Sequence, residues 1–414
     1  MAPIVKYLQK INAEFIIIDT NQHFDYEMSQ IFYNELELPD PNYRLELPRS
    51  APPVQVSYMI KELHAIFTEE NPSICLAQGD TNTVMAAALT SAMTKVPFGH
   101  VEAGIRSFDM TMPEELNRKI AGDCANLHFS PTSLAVENLL GEGKDRERII
   151  LSGNTIVDSI DYIRKKIQTQ QTKDYRKEFG WDLNSPLIPV TLHRPSNVDN
   201  PKILLKILKT LADLEANFLF LTHPRTMKNL ESHNLIDELN NSNIKFRKSF
   251  GYFDFINLLL QSEGVITDSG GIQEECTCLG IPSITLRANT ERPESVWDGK
   301  NRLLNPHDPD FRQKMKDQFL DFSKITRIKS NPFGDGRSSE RIVETCLRTF
   351  ISGKLNWEMP DFTLSYPKLR LLRQVGELET IQIAFDGEGN IYFTNQDKKS
   401  HYYLVREKKS LVSK

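Results

Sequence analysis

"ITDSGGIQEECTCLG", residues 266–280, decides how the chain is read. Apolar residues run into Asp268, Ser269, Gly270 and Gly271, and a helical pattern follows that opens with Gln273, Glu274 and Glu275. A strand that ends in a polar, glycine-marked turn and feeds a helix is the repeating unit of a parallel α/β sheet. Backbone N–H groups at such a helix start bind phosphate, helped by the helix dipole. Ordinary capping explains Ser269 equally well. Glu275 lies too far into the helix to be a cap, and a carboxylate there is a good bidentate acceptor for a ribose diol.

The same grammar extends in both directions. "PLIPVTLHRP" (186–195), "NFLFLTHPR" (217–225), "IKFRKSF" (244–250) and "PSITLRANT" (282–290) are apolar runs ending in polar loops, with the amphipathic "PKILLKILKTLADLEA" (201–216) between two of them. An earlier series consists of "AEFIIID" (13–19), "SICLAQGD" (73–80), "VPFGHVEAG" (96–104) and "NLHFSPT" (126–132), with helical stretches such as "TVMAAALTSAM" (83–93) between them. The polar segment around 168–186 reads as a linker. The spacing predicts an α/β protein of two Rossmann-like, doubly wound domains, 1–168 and 169–354, facing each other across a cleft. Ligands in such sheets bind beyond the carboxyl ends of the strands. From about Leu355 the pattern turns to alternation of apolar and polar residues, with "DGEGN" (386–390) as a hairpin turn, which predicts a β-rich extension over 355–414.

Composition narrows the function. The chain has 414 residues, is 39% hydrophobic and 25% charged, and carries a net charge of −5, which disfavours nucleic acid as a partner. No apolar run approaches a membrane span, and Met1 opens an amphipathic helix rather than a secretory signal. The five cysteines form no CxxC pair and read as reduced thiols of a cytoplasmic protein. There is no GxGxxG after a strand, no P-loop, no HExxH and no GxSxG. No cofactor and no metal are expected, so the chemistry falls to polar groups at strand ends.

Those groups come in clusters, each with a bland reading beside the functional one. In "QGDTNTV" (78–84), Asp80 and Thr81 could simply cap a helix. In "HVEAGIRS" (100–107), Glu102 and Arg106 could be a structural ion pair, but acids at such a place are costly unless paired or used. "MPEELNRKIAGD" (112–123) puts Pro113, Glu114 and Glu115 in a first helical turn, where the dipole favours them, and makes Asn117, Arg118 and Asp123 available on nearby faces. In "TLHRPSN" (191–197), His193 and Arg194 end a strand where a phosphate could be met, and "THPR" (222–225) repeats the pattern. Taken together they suit acid/base chemistry on a nucleotide-linked molecule.

The strings "QGDTNT", "HVEAGIRSFDMTMPEELNR", "LSGNTIVD", "TLHRPSNVD", "TDSGGIQEE" and "LRANTERPESV" resemble, in order and over about residues 1–352, the non-hydrolysing UDP-N-acetylglucosamine 2-epimerases. The resemblance implies two Rossmann-like domains of the GT-B type, a homodimer, and interconversion of UDP-GlcNAc and UDP-ManNAc without NAD or a catalytic metal. It makes Asp80, Glu102 and Glu114 the acid/base carboxylates, with His193 acting near the diphosphate. Arg106, Arg118, Asn154 and Arg194 fall in matching strings as substrate-binding candidates. Ser269, Gly270 and Gly271 would hold phosphate, Glu275 the ribose hydroxyls, and Phe255 would lie against uracil. Arg292 is a further candidate at the cleft. Gln22 and His23 match a region that, in some bacterial members, helps bind a second, activating substrate molecule.

The mechanism so implied is departure of UDP from C1 with loss of the barely acidic C2 proton, giving 2-acetamidoglucal, then re-addition of UDP and protonation of C2 on the opposite face. Carboxylates would stabilise the oxocarbenium-like transition state. Family members begin with a strand and a "GTRPE" turn, whereas Met1 here already lies in the following helix; the expectation is a start codon assigned late, with a gap or edge in the first sheet. The alternatives are an epimerase of a related UDP-2-acetamido sugar, a hydrolysing relative that releases free ManNAc, a catalytically impaired nucleotide-sugar-binding protein, and a GT-B glycosyltransferase.

Overall fold

The computed structural model describes residues 1–22, 31, 33–236, 239, 243–322 and 331–353, together with three strands between 382 and 403. His23 and the turn at 386–390 lie outside the described residues. The chain is α/β, built on two parallel sheets.

The first sheet runs β3 (Cys75–Gln78), β4 (Phe98–Val101), β5 (Leu127–Ser130) and β6 (Ile149–Leu151), in that spatial order and all parallel. Two further short strands, β1 (Ile18–Asp19) and β2 (Tyr43–Arg44), pair with each other. Among the described residues they form a sheet of their own. The expected strand over 13–19 is thus only its last two residues. The helix Pro52–Glu70 supplies Met59, Leu63, Ile66 and Phe67 to a core shared with Ile18, Ala77, Val84 and Phe98.

The second sheet has six parallel strands in the order β12 (Asn301–Leu303), β11 (Ser283–Thr285), β10 (Val265–Thr267), β7 (Leu187–Leu192), β8 (Asn217–Thr222) and β9 (Ile244–Lys248). Its central strands are mostly apolar and almost wholly buried because both faces are covered. On one face the helix Pro201–Ala212 presents Leu204, Ile207, Leu208 and Leu211, a 3–4 spacing that drops one stripe onto Ile188, Val190, Phe218 and Phe220. Each such fully buried side chain stabilises the fold by about 1.5–3 kcal/mol. Chain order reverses between β7 and β10, so the crevice of this sheet opens where those two strands end.

Two helices cross between the halves. Thr155–Thr169 follows the first sheet, yet Ile160 and Ile163 pack with Ile256, Leu259, Val265 and Cys276 of the second. The last helix, Ser338–Ile351, returns the other way. The sequence groups it with the second domain, but Ile342, Val343 and Cys346 pack on Ile4, Val101, Leu127 and Phe129. Asp158 anchors this return by accepting from the backbone N–H groups of Ser338 (3.1 Å) and Ser339 (2.9 Å) at the helix start. The two chain passes touch: the N–H of Asn154 donates to the carbonyl of Phe333 at 2.7 Å. Gly153 and Gly334 abut there at φ 83° and 115°, and a Cβ on Gly334 would stand 3.2 Å from the Cα of Gly153.

The tail is a separate unit, in which β13 (Gln382–Phe385), β14 (Ile391–Thr394) and β15 (His401–Tyr403) form an antiparallel meander. Among the described residues no helix is long and apolar enough to cross a membrane.

Candidate active site

Adjacent strands β3 and β4 end side by side, and their next residues carry the first two acids. After β3 the chain turns at Gly79 (φ 86°) into Asp80. The Asp80 carboxylate does not cap the following helix; it is ion-paired with the buried guanidinium of Arg118. Nor does Thr81, the N-cap residue of Asn82–Thr94, make a side-chain cap bond. Gln22 does that work, its Oε1 accepting from the N–H of Thr83 at 3.1 Å. Asn117 holds the turn by donating to the Asp80 carbonyl at 2.9 Å.

Glu102 follows β4 at φ 65°, a left-handed conformation that costs a non-glycine residue roughly 1–3 kcal/mol. It turns the carboxylate back over Gly79, where an added Cβ would lie 3.3 Å from Glu102 Oε2. Beneath them the buried His100 ring bonds the Gly79 carbonyl through Nε2 at 2.8 Å. Burial pushes that imidazole down to about 4, so it is neutral and donates.

The pair Glu114–Glu115 splits by face. Successive helical residues point about 100° apart. Glu114 is exposed, whereas Glu115 is fully buried and accepts from Ser107 N (2.9 Å), Ser107 Oγ (3.0 Å), Phe108 N (3.2 Å) and Arg118 Nη1 (2.9 Å). Glu115 therefore ties the 105–111 loop to the arginine that holds Asp80.

The opposite wall stands at the switch point of the second sheet. His193 and Arg194 follow β7; Asp268, Ser269, Gly270 and Gly271 follow β10. Ser269 occupies the N-cap position of Gly270–Leu279 without making a side-chain cap bond. Gly270 is required by close approach, because a Cβ there would meet Glu291 Oε1 at 2.8 Å. A Cβ on Gly271 would meet nothing nearer than Ser269 Oγ at 4.0 Å, so the helix start faces open space. Three guanidinium groups surround Glu291: Arg287 at 2.7 Å, Arg292 at 3.6 Å and Arg194 at 3.7 Å. Burial alone would raise the Glu291 carboxyl, but Arg292 and Arg287 hold it down to about 2.

The acids of "QEE" lie in the second turn of the helix and point inward rather than toward its dipole. Glu274 accepts from Arg292 Nε (2.6 Å) and from Asn154 Nδ2 (3.1 Å), the latter reaching over from the first half. Burial pushes the Glu274 carboxyl up, and the guanidinium opposes it. Among the described residues no cation steadies Glu275: burial raises it to about 8, and the hydroxyl of Tyr252 only partly offsets that. Tyr252 and Phe255 share the helix Tyr252–Leu260, and Phe255 is half-buried among Tyr175, Leu187 and Leu258.

The two walls meet. The buried Arg292, whose Nη1 makes no hydrogen bond, interacts electrostatically with Glu102 and Asp80 of the first half after its nearer partners Glu274 and Glu291. Arg194 likewise senses Glu114. Arg106 lines a small cavity at this seam with Glu274 and Arg292. Arg106 and Arg292 thus line one cavity and Asn154 reaches its Glu274; Asp80, with its partner Arg118, and Glu102 lie just past the adjacent ends of β3 and β4, Glu114 is on the exposed face of its helix, and His193, Arg194 and Ser269–Gly271 stand at the strand ends of the second sheet.

Sequence reasoning passed over Glu115, Glu274, Glu291 and Asp268. Each is a buried acid beside a quoted one or inside a quoted string. For Glu115 and Glu274 the available signal was the 100° step between helical neighbours, which says that both acids of a pair cannot share a face; Asp268 and Glu291 lie in loops and had none.

A GT-B pair of Rossmann-like halves, with acids on one wall and a glycine-marked turn ringed by arginines on the other, defines a nucleotide-sugar enzyme. The chain belongs to the UDP-N-acetylglucosamine 2-epimerase family, whose model matches residues 6–347. It is 39% identical to the UDP-N-acetylglucosamine 2-epimerase of Methanocaldococcus jannaschii over 353 residues, 83% of this chain and 94% of that one. The crystal structure of the Methanocaldococcus jannaschii enzyme in complex with UDP-GlcNAc and UDP superimposes with a TM-score of 0.75 at 38% identity, covering 84% of this chain and 95% of that one. A UDP-2,3-diacetamido-2,3-dideoxy-D-glucuronate 2-epimerase of Pseudomonas aeruginosa is 33% identical over 80% of this chain and 90% of its own length.

Proposed function

We propose that the protein is a UDP-N-acetylglucosamine 2-epimerase that interconverts UDP-GlcNAc and UDP-ManNAc. The observation that carries this reading is the bond that joins the two walls: Asn154 of the first half donates from Nδ2 to Glu274 at 3.1 Å, and Glu274 is the ion-pair partner of Arg292, which lines one cavity with Arg106 of the first half.

In the forward direction one carboxylate takes the C2 proton, the C2–H electron pair becomes the C1=C2 double bond, and the C1–O pair leaves with UDP. The product is 2-acetamidoglucal, formed by anti elimination. Asp80, Glu102 and Glu114 offset positive charge on the ring in this reading, and Arg292, Arg194 and the N–H groups at Gly270 and Gly271 receive the diphosphate. UDP then adds back to C1 while a second acid protonates C2 from the other face. Glu275 receives the ribose hydroxyls and Phe255 the uracil. The protein works as a cytoplasmic homodimer whose domains divide near residue 168.

The test is incubation with UDP-GlcNAc in deuterated water. Deuterium at C2 together with UDP-ManNAc is expected; binding without exchange would leave only a nucleotide-sugar-binding protein, and irreversible release of free ManNAc would mark a hydrolase. The Pseudomonas relative favours a second reading, an epimerase of a 2,3-diacetamido uronate. The substrate with the higher kcat/KM in a direct competition decides between them.

Glu275 supplies a pH signature. Its carboxyl, raised to about 8 by burial, is protonated at neutral pH in the free protein, whereas an acceptor of two hydroxyls must be ionised. UDP binding therefore releases a proton near pH 7. Affinity rises about tenfold per pH unit up to about pH 8 and then levels off. For folding the sign is opposite: the raised pKa contributes stability that is full below about 4.5 and lost as pH climbs through about 8. Calorimetric titration with UDP from pH 6.5 to 9 checks the binding slope, which Glu275→Gln is expected to abolish.

A further inference from the structure

We propose that Asp268 is a positioning residue that holds the His193 imidazole with its Nδ1 hydrogen turned inward and Nε2 turned to the cleft. The proposal rests on the reading of this cleft as a diphosphate site.

Asp268 is the first residue beyond β10, and its side chain is fully buried. Its carboxylate gathers donors from the neighbouring strand end. It accepts the N–H of His193 (3.1 and 3.2 Å to its two oxygens), the N–H of Arg194 (3.0 Å) and Nδ2 of Asn197 (3.0 Å). Nδ1 of His193 lies 3.0 Å from Oδ1. The Arg194 side chain closes the arrangement by donating from Nε to the Asp268 carbonyl at 3.1 Å. One buried acid thus joins the two strand ends that flank the switch point, and sits directly before the Ser269–Gly271 turn.

The chemistry follows from which ring nitrogen is engaged. A carboxylate at Nδ1 accepts only if that nitrogen carries the hydrogen, so it selects one tautomer of the neutral ring. The His193 side chain is 46% exposed, and with Nδ1 taken the remaining polar atom is Nε2. In the imidazolium form Nε2–H is a donor for the oxygen on which negative charge grows as the C1–O bond breaks; no proton transfer is required for that oxygen to leave. Burial alone would raise the Asp268 carboxyl, but His193, Asn197 and the N–H of Arg194 hold it below its ordinary value, so the acid stays ionised.

The test uses the full chain labelled with ¹⁵N-histidine, with His193 assigned as the signal set missing from His193→Gln. Two-bond ¹H–¹⁵N correlations are expected to show neutral His193 protonated on Nδ1. In Asp268→Asn the ring should shift toward the Nε2–H form. An Nε2–H tautomer in the wild type, or an unchanged tautomer in a folded Asp268→Asn, overturns the proposal; the wild-type spectrum decides even if that variant fails to fold. Kinetics supply a second readout. Asp268→Asn should lower kcat by about 10²-fold with a smaller change in KM. In a His193→Gln background the same change should cost less than threefold, because Asp268 acts through His193, and a full 10²-fold loss there would refute that. The tautomer is read without turnover, so its failure is distinguishable from a failure of the epimerase reading, which would appear as absent C2 deuterium in the wild type.

Discussion

Replacing Glu102 with Gln is expected to lower epimerisation by about 10³-fold while UDP still binds and the fold persists, within the range that positioned acid/base groups supply. The substitution is close to isosteric, so the left-handed turn at φ 65° and the contact over Gly79 survive it. What disappears is the negative charge that the proposed mechanism sets against the sugar, and a site that can carry a proton. Asp80→Asn should act in the same direction but is a less clean experiment, because it also strips a partner from the buried Arg118. The measurement is C2 deuterium incorporation from solvent, with circular dichroism and UDP titration as controls. Wild-type exchange in Glu102→Gln would remove Glu102 from the chemistry.

The largest effect on stability is expected one residue beyond a proposed catalytic acid. Glu115→Ala leaves Arg118 without its buried partner and opens three further bonds to Ser107 and Phe108. Removing one member of a buried ion pair costs about 3–5 kcal/mol. Urea unfolding of Glu115→Ala should show a loss of that size, whereas Glu114→Ala, on the exposed face of the same helix, should leave the midpoint almost unmoved and reduce turnover instead. If the two variants exchange these phenotypes, the assignment of the two acids is inverted.

That pair also shows what could be read from the sequence and what could not. The order of strands and helices was legible because each long strand, such as Leu187–Leu192, is mostly apolar and ends in a polar turn. Short strands escaped for the opposite reason: Tyr43–Arg44, Ile149–Leu151 and Asn301–Leu303 hold two or three residues each, too few for a period to appear. The glycine turn was legible as a helix start, but its acids were misplaced by one turn. Glu274 and Glu275 sit inside the helix and face a guanidinium and a phenol that come from distant parts of the chain. The packing of Ser338–Ile351 on the first half was equally hidden, since an amphipathic stripe records that a face is buried and not against what. Asp268 looked like one more polar residue before a helix; only the neighbouring strand end reveals how many donors converge on it.

The abutting glycines at 153 and 334 have a mechanical meaning. Both covalent links between the halves pass through a single post, like a door whose two straps share one upright. With a Cβ on Gly334 falling 3.2 Å from the Cα of Gly153, a larger residue there would push the two links apart, and with them the halves they join.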